Sequence, residues 1–385
     1  MRIALVCPYS WTVPGGVQSH VRGLARELRT RGHDVAIIAP ADGPVDDDVI
    51  GVGRSIPIPD NGTIVRVALA PAAVARTTRR IHSGSYDLVH LHEPMIPAVC
   101  LSALLTSTAP LVGTFHMFAS SRRWYRPFAP LARRAIPRLA ARIAVSQAAL
   151  RHVARTCPGD YHIVPNGIDL AAFGPPGERT GSRVLFVGRP DARKGLPVLL
   201  EAFKRLPPEA ELDLVGVSPA DLVRAGPGLP ARVARRLHAL GRVPDSDRSR
   251  LLAAADVLCA PSLEGESFGI VLVEGMAAGV PVVASAIPGY VDVLSPACGV
   301  LVPPGDVPAL AEALRGLLRE PAERAELGLA GRAEAQRFDW SRVADSVLAV
   351  YEEVVASRPS CRSSRPSAAF TEDTRTQLLV EAAVA

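Results

Sequence analysis

The chain has 385 residues, a length that favours two cores of α/β size over one. It is 48% hydrophobic and 21% charged with a formal net charge of +5, which suits a folded soluble chain and excludes a polyelectrolyte tail or a dedicated nucleic-acid binder. Of 43 basic residues only Lys194 and Lys204 are lysines, so a surface arginine carries little functional weight here and a retained lysine carries more.

The chain opens on "RIALVC", a buried strand. "MRIALVCPYS" is not a signal peptide, because its apolar run is short and Pro8 ends it. Residues 17–31 read as a helix, with Val17, Val21, Leu24 and Leu28 on the buried stripe and Arg22, Arg26 and Arg29 on the wet side. "DVAIIAP", "SIPIP", "DLVHLH", "PLVGTFH", "RIAVS" and "YHIVPNG" follow as short strands separated by helical stretches, the pattern of a parallel sheet buried on both faces. "FGPPGERTGS" (173–182) reads as a linker. A second alternation then runs through "RVLFVGR", "ELDLVG", "ADVLCAPS", "IVLVEGMAAG", "PVVAS" and "GVLVPP". The expected fold class is therefore α/β, with two doubly wound Rossmann-like domains, residues 1–175 and 176–338, facing a central cleft. Residues 339–357 read as a helix returning to the N-terminal domain, and the Ser-, Arg- and Pro-rich 358–385 as a disordered tail. No run of about 18 apolar residues is present to span a membrane.

Several local patterns carry chemistry. Gly15-Gly16 stands where a strand meets a helix N-terminus; one glycine would make the turn and the other leave backbone amides open to an anion. No G-x-G-x-x-G is present, so this is not the dinucleotide fingerprint. Glu266 and Glu274, spaced E-x₇-E in "ESFGIVLVE", would share a helix face if the stretch were helical, and the preceding "EGESFG" would offer backbone amides at a helix start. In "GRPDARKG", Arg189 and Lys194 follow a strand end, where two cations could stabilise a departing anion. "TFH" ends a strand with His116. "HLHEP" puts His90 and His92 on one side of a strand, but with no third ligand nearby in sequence a zinc site is rejected and no metal is expected. The six cysteines form no C-x-x-C pair, which argues for a reduced compartment. Asp46-Asp47-Asp48 lies in a polar loop rather than at a strand end, so it is no magnesium clamp. Residues 120–139 interleave arginines, including Arg122 and Arg123, with Trp124, Tyr125 and Phe128; "ARTTRRIH" adds Arg76, Arg79 and Arg80. Such a stretch suits an anionic lipid surface, or is simply a solvated helix face.

In order, "CPYS…VPGGVQSHV", "HLHEP", "TFH", "VPNGID", "FVGRPDARKG" and "EGESFGIVLVEGMAAGVPVVAS" resemble retaining glycosyltransferases of the GT-B fold. Among these the chain is most similar, from residue 1 to about 355, to the bacterial phosphatidyl-myo-inositol mannosyltransferases. That resemblance implies a cytoplasmic enzyme, peripheral on the inner face of the cell membrane. It would move mannose from GDP-mannose to an anionic inositol phospholipid, with no tightly bound cofactor and a free divalent cation at most a stimulant. It implies Glu266 on the donor sugar's hydroxyls, Glu274 on the ribose, and Arg189 and Lys194 on the diphosphate. Gly15, Gly16, Ser267, Phe268, Gly269 and Ile270 would complete the donor site, with His116 near the transferred sugar. Asp245 would accept from the adjacent N–H groups of guanine; the competing reading makes it the cap of a helix starting near Ser246. Tyr9, Gln18 and Asn61 match positions near the inositol, although Asp60 and "MFASSRRW" depart from the family pattern. The alternatives are a related transferase with another nucleotide sugar and acceptor, or a GT-B epimerase, phosphorylase or non-catalytic nucleotide-sugar binder.

Overall fold

The computed structural model describes residues 1–60, 63–117, 128–174, 177, 179 and 181–357. They divide into two units: unit 1 takes in residues 1–167 and returns at Trp340, and unit 2 is Ile168–Asp339. The boundary differs from the expected 175/176. The described residues of "FGPPGERTGS" are fastened within unit 2: Gly177 N–H donates to Ala253 O (3.0 Å) and Arg332 to Gly174 O (2.9 Å). Glycine and proline marked a loop there, and the crossing lies earlier, inside "NGID".

In unit 1 the strands are β1 (Arg2–Val6), β2 (Asp34–Ala39), β3 (Val49–Gly51), β4 (Ile56–Asp60), β5 (Thr63–Val67), β6 (Leu88–His92), β7 (Leu111–Phe115), β8 (Leu139–Ala144) and β9 (His162–Ile163). Seven form a parallel sheet in the order β3-β2-β1-β6-β7-β8-β9. "SIPIP" is the exception. It forms β4, which pairs antiparallel with β5 in a separate hairpin. Its two prolines remove ladder donors that a central parallel strand would need.

Unit 2 contributes β10 (Arg183–Val187), β11 (Glu211–Val215), β12 (Leu237–Gly241), β13 (Val257–Ala260), β14 (Val282–Ser285) and β15 (Gly299–Val302). They form a second parallel sheet, β12-β11-β10-β13-β14-β15. Each sheet reverses its winding once, between β1 and β6 in unit 1 and between β10 and β13 in unit 2. Loops leaving the carboxyl ends of strands at such a reversal diverge and open a crevice, which is where open α/β sheets bind ligands.

The helix Trp340–Ala356 belongs to unit 1. It buries Trp340, Val343, Ala344, Val347, Val350, Tyr351 and Val354 in one core with β1 and the helix Gly16–Thr30. Arg31 ties the two helices by an ion pair to Asp345 (2.9 Å) and a hydrogen bond to Ser341 O (2.8 Å). The Trp340 ring lies so close to Gly23 and Gly167 that a Cβ at either would stand within 2.2–2.5 Å of it. Unit 2 begins and ends side by side: Ile168 N–H donates to Phe338 O (2.9 Å), and Ile168 bridges to Asp339.

Candidate active site

In unit 2 the reversal point gathers the charged residues. β10 ends at Val187, and the loop after it carries Arg189 to an exposed position and Lys194 to a shallow one. β13 ends at Ala260, and its loop delivers Glu266. The Lys194 ammonium and Glu266 carboxylate meet at 2.7 Å, each side chain below 20% exposed. The helix Ile270–Ala277 then starts at Gly269, whose φ of +89° is left-handed; a Cβ there would also press on the Tyr290 ring at 2.6 Å. Only glycine relieves both constraints.

The condition for Glu266 and Glu274 to share a helix face, one helix running through both, is not met. Glu266 lies in the loop before the helix, with Ser267, Phe268 and Gly269 between it and Ile270, and only Glu274 is helical. The two carboxylates have separate partners. Glu274 is buried and pairs with Arg248 at 2.9 Å. Burial pushes its carboxyl up to about 7, with Arg248 opposing and Asp245 adding to the rise.

Asp245 also differs from its expected place. The helix Asp245–Ala254 already includes it, and the N-cap is Pro244, with no side-chain cap. Its side chain is 89% exposed and sits 3.2 Å from Arg248. Arg248 thus links Asp245 to Glu274, a role that the i, i+3 spacing on one helix could have signalled.

In unit 1 the reversal point gathers histidines. His92 ends β6, His116 follows β7, and His20 lies on the helix after β1; all three are buried. His92 Nδ1 and His116 Nε2 are 3.0 Å apart, and the His20 ring centroid is 4.7 Å from that of His116. The His116 backbone N–H donates to the buried Glu93 carboxylate at 2.6 Å. His90 spends both nitrogens elsewhere, 2.6 Å from the Tyr351 hydroxyl and 2.6 Å from Thr114 Oγ1. Burial keeps these imidazoles neutral: His116 is lowered to about 4, His90 to about 3, and His20 and His92 well below their ordinary value.

The premise used against a zinc site, that no third ligand stands near His92, is therefore overturned. The ligand atoms of His20, His92 and His116 all lie within 4.8 Å of one another. They come from positions 72 and 24 residues either side of His92, a convergence that no local spacing rule detects.

Gly15 and Gly16 receive a partly different explanation from the one expected. Gly15 is extended, with φ −165°, and Gly16 begins the helix; neither takes a left-handed turn. A Cβ on Gly15 would meet Gln18 Oε1 at 2.5 Å, whereas one on Gly16 would stand in open space. Gln18 donates to Ser10 O (3.1 Å) and Val13 O (2.9 Å), so its amide hydrogens fasten the loop before the helix. The Tyr9 hydroxyl donates to Met117 Sδ at 3.4 Å. Arg76, Arg79 and Arg80 are exposed on the helix Pro71–Ser83. Asn61, Arg122, Arg123, Trp124 and the tail 358–385 lie outside the described residues.

Residues 14–172 match the glycosyltransferase family 4 profile and residues 181–320 the glycosyl transferases group 1 profile. The chain is 40% identical over 373 residues to the phosphatidyl-myo-inositol mannosyltransferase of Mycobacterium tuberculosis, covering 93% of this chain and 98% of that one. It belongs to the GT-B glycosyltransferases. A second relative of this glycosyltransferase, the phosphatidyl-myo-inositol mannosyltransferase of Propionibacterium freudenreichii, is 36% identical over 91% of the chain and 94% of its own. The fold recurs in the sucrose-phosphate synthase of Thermosynechococcus elongatus, with a TM-score of 0.76 at 24% identity over 93% of this chain and all of that one. Among the described residues of the glycosyltransferase, no helix is long and apolar enough to cross a membrane.

Proposed function

We propose that the glycosyltransferase is a hexosyltransferase that moves mannose, with retention, from GDP-mannose to phosphatidyl-myo-inositol or a related mannosylated inositol lipid at the inner face of the cell membrane. The observation that carries this reading is the 40% identity, over nearly the whole chain, to enzymes of that name. The unit 2 geometry is consistent with it. Lys194 and Arg189 offer positive charge where a nucleoside diphosphate would leave, and charge that grows on the leaving group is stabilised more in the transition state than before it. Glu266 takes the donor sugar's hydroxyls and Glu274 the ribose. The backbone of Ser267, Phe268, Gly269 and Ile270 adds the amides of a helix start. Asp245 is the guanine acceptor, its carboxylate suited to two adjacent N–H donors.

On the acceptor side, the inositol hydroxyl loses its proton to the departing phosphate as its oxygen bonds the anomeric carbon and the anomeric C–O bond to phosphate breaks. Tyr9, Gln18 and Asn61 are assigned to the inositol and His116 to the transferred sugar. Exposed Arg76, Arg79 and Arg80, with Arg122, Arg123 and Trp124, are assigned to the anionic membrane surface. The test supplies a panel of nucleotide sugars with and without phosphatidylinositol vesicles and reads nucleoside diphosphate release. GDP release that requires both GDP-mannose and the inositol lipid is the expected result. Faster release from a uridine-based donor, or with a soluble acceptor alone, overturns the reading.

A further inference from the structure

Three imidazoles converge in the unit 1 crevice, and the one hydrogen bond between them joins His92 to His116. Among the described residues His92 Nε2 is buried without a hydrogen-bond partner, and the Asn166 side chain reaches both His20 and His116. A buried polar atom left unmatched is costly, so it marks a place the protein alone does not complete. His90, two residues before His92 on β6, is different, because both of its nitrogens have partners.

The spacing fits a small soft-to-borderline cation. With metal–nitrogen bonds of about 2.05 Å, two imidazole nitrogens on one tetrahedral ion stand roughly 3.4 Å apart. The His92–His116 pair is at 3.0 Å, and no ligand atom of the three is more than 4.8 Å from another. The imidazoles present the neutral form that a metal binds. Glu93 holds the backbone of His116 and brings a carboxylate beside the cluster, a complement to an added positive charge. His116 and Asn166 each keep 7% of their surface open, which gives an ion an approach. Three imidazoles leave one tetrahedral position for water.

We propose that His20, His92 and His116 form a binding site for a divalent transition metal ion of the zinc class, and that its occupation withdraws His116 from sugar transfer. The inhibitory half rests on the role of His116 proposed above; the binding half does not. The ion neither oxidises nor reduces anything here, and it acts by occupying the imidazole nitrogens.

The experiment uses the full chain stripped with a chelator. Zinc is titrated in competition with a chromophoric chelator, and cobalt is added separately to read the intense visible band of a tetrahedral site. The expected result is one equivalent of zinc per chain at micromolar affinity or tighter, with the tetrahedral cobalt band. His20→Ala and His92→Ala should each weaken zinc by more than the roughly tenfold that losing a supporting hydrogen bond costs a metal site. His82→Ala, on the exposed face of the helix Pro71–Ser83, should leave binding unchanged. Zinc should also lower diphosphate release in the parent, and chelator should restore it. Zinc binding no tighter than millimolar, or the absence of the cobalt band in the parent, overturns the site without reference to any variant's folding. Equal binding in the His92→Ala and His82→Ala proteins overturns it as well. Tight binding with undiminished transfer overturns the inhibitory half and counts against the assigned role of His116, while the transferase reading is judged on the nucleotide-sugar panel alone.

Discussion

The two crevices are built at the same topological point of two similar sheets, yet from opposite chemistry. Unit 2 pairs cationic side chains with carboxyl groups, Lys194 with Glu266 and Arg248 with Glu274. Unit 1 holds uncharged imidazoles, buried in an aromatic setting with Trp340 and Tyr351. Paired charges keep their place by mutual attraction and remain available to a charged ligand. Neutral imidazoles depend on packing to stay together, so their geometry is only as firm as the core around them. The difference means that unit 2 should respond first to loss of a charge, and unit 1 to loss of a packing residue or to protons.

Removing the packing residue tests this most severely. Trp340→Ala empties the space between Gly23 and Gly167 and should destabilise unit 1 by about 3–5 kcal/mol. Hydrogen exchange read strand by strand should show β1 and β6 losing protection while β10 and β13 keep theirs; equal losses in both would end the comparison. Next in size is Lys194→Ala, which should lower turnover by about a hundredfold, the scale of one preorganised charge, with the melting temperature little changed. Turnover within a few-fold of the parent would show that the pair with Glu266 is structural only.

Acid should separate the units in direction. The folded-state values of His20, His90, His92 and His116 lie below the ordinary 6.5, so unit 1 binds fewer protons folded than unfolded. Its stabilisation is complete above about pH 6.5 and is lost as the pH falls toward about 4, where His116 titrates. Glu274 runs the other way. Its folded value is raised from 4.5 to about 7, so its contribution is present below 4.5 and lost as the pH rises through about 7. Exchange protection measured across that range should therefore fall in β6 on acidification and not in β13.

The smallest effect expected is on donor binding. In the proposed donor site an ionised Glu274 would accept from the ribose hydroxyls, so nucleotide affinity should rise several-fold between about pH 6 and about pH 8, and Glu274→Gln should flatten that rise. An unchanged slope in the variant would assign it to another group.

The alternation of strands and helices was readable because parallel strands buried on both faces must be apolar along their length, and "RIALVC" and "RVLFV" are. The charged residues of unit 2 lie close in sequence, Arg189 and Lys194 in the connection after β10, Glu266 in the connection after β13 and Glu274 in the helix that follows it. The histidine cluster was not readable, because it joins the helix after β1, the end of β6 and the end of β7, and only the sheet brings those ends together. Asp245 shows a different limit. The sequence placed a carboxylate at a helix start, but not the Arg248 that pairs with it and with Glu274. "SIPIP" alternates like a strand and reads as part of the parallel sheet, whereas its two prolines suit the separate hairpin it forms.

The side-by-side start and end of unit 2 have a consequence for biosynthesis. Unit 2 is an insertion in the chain of unit 1, so a ribosome finishes it before it releases the last piece of its host. Until residues 340–356 emerge, the apolar surface of β1 and the helix Gly16–Thr30 that Val343, Val347 and Tyr351 cover stays open to water. The nascent N-terminal part is then an incomplete core waiting for its final helix, while residues 168–339 already hold all their strands. A stop codon just after Asp339 should therefore yield a chain that aggregates through unit 1 and is held soluble by a chaperone, while a fragment of residues 168–339 expressed alone should fold.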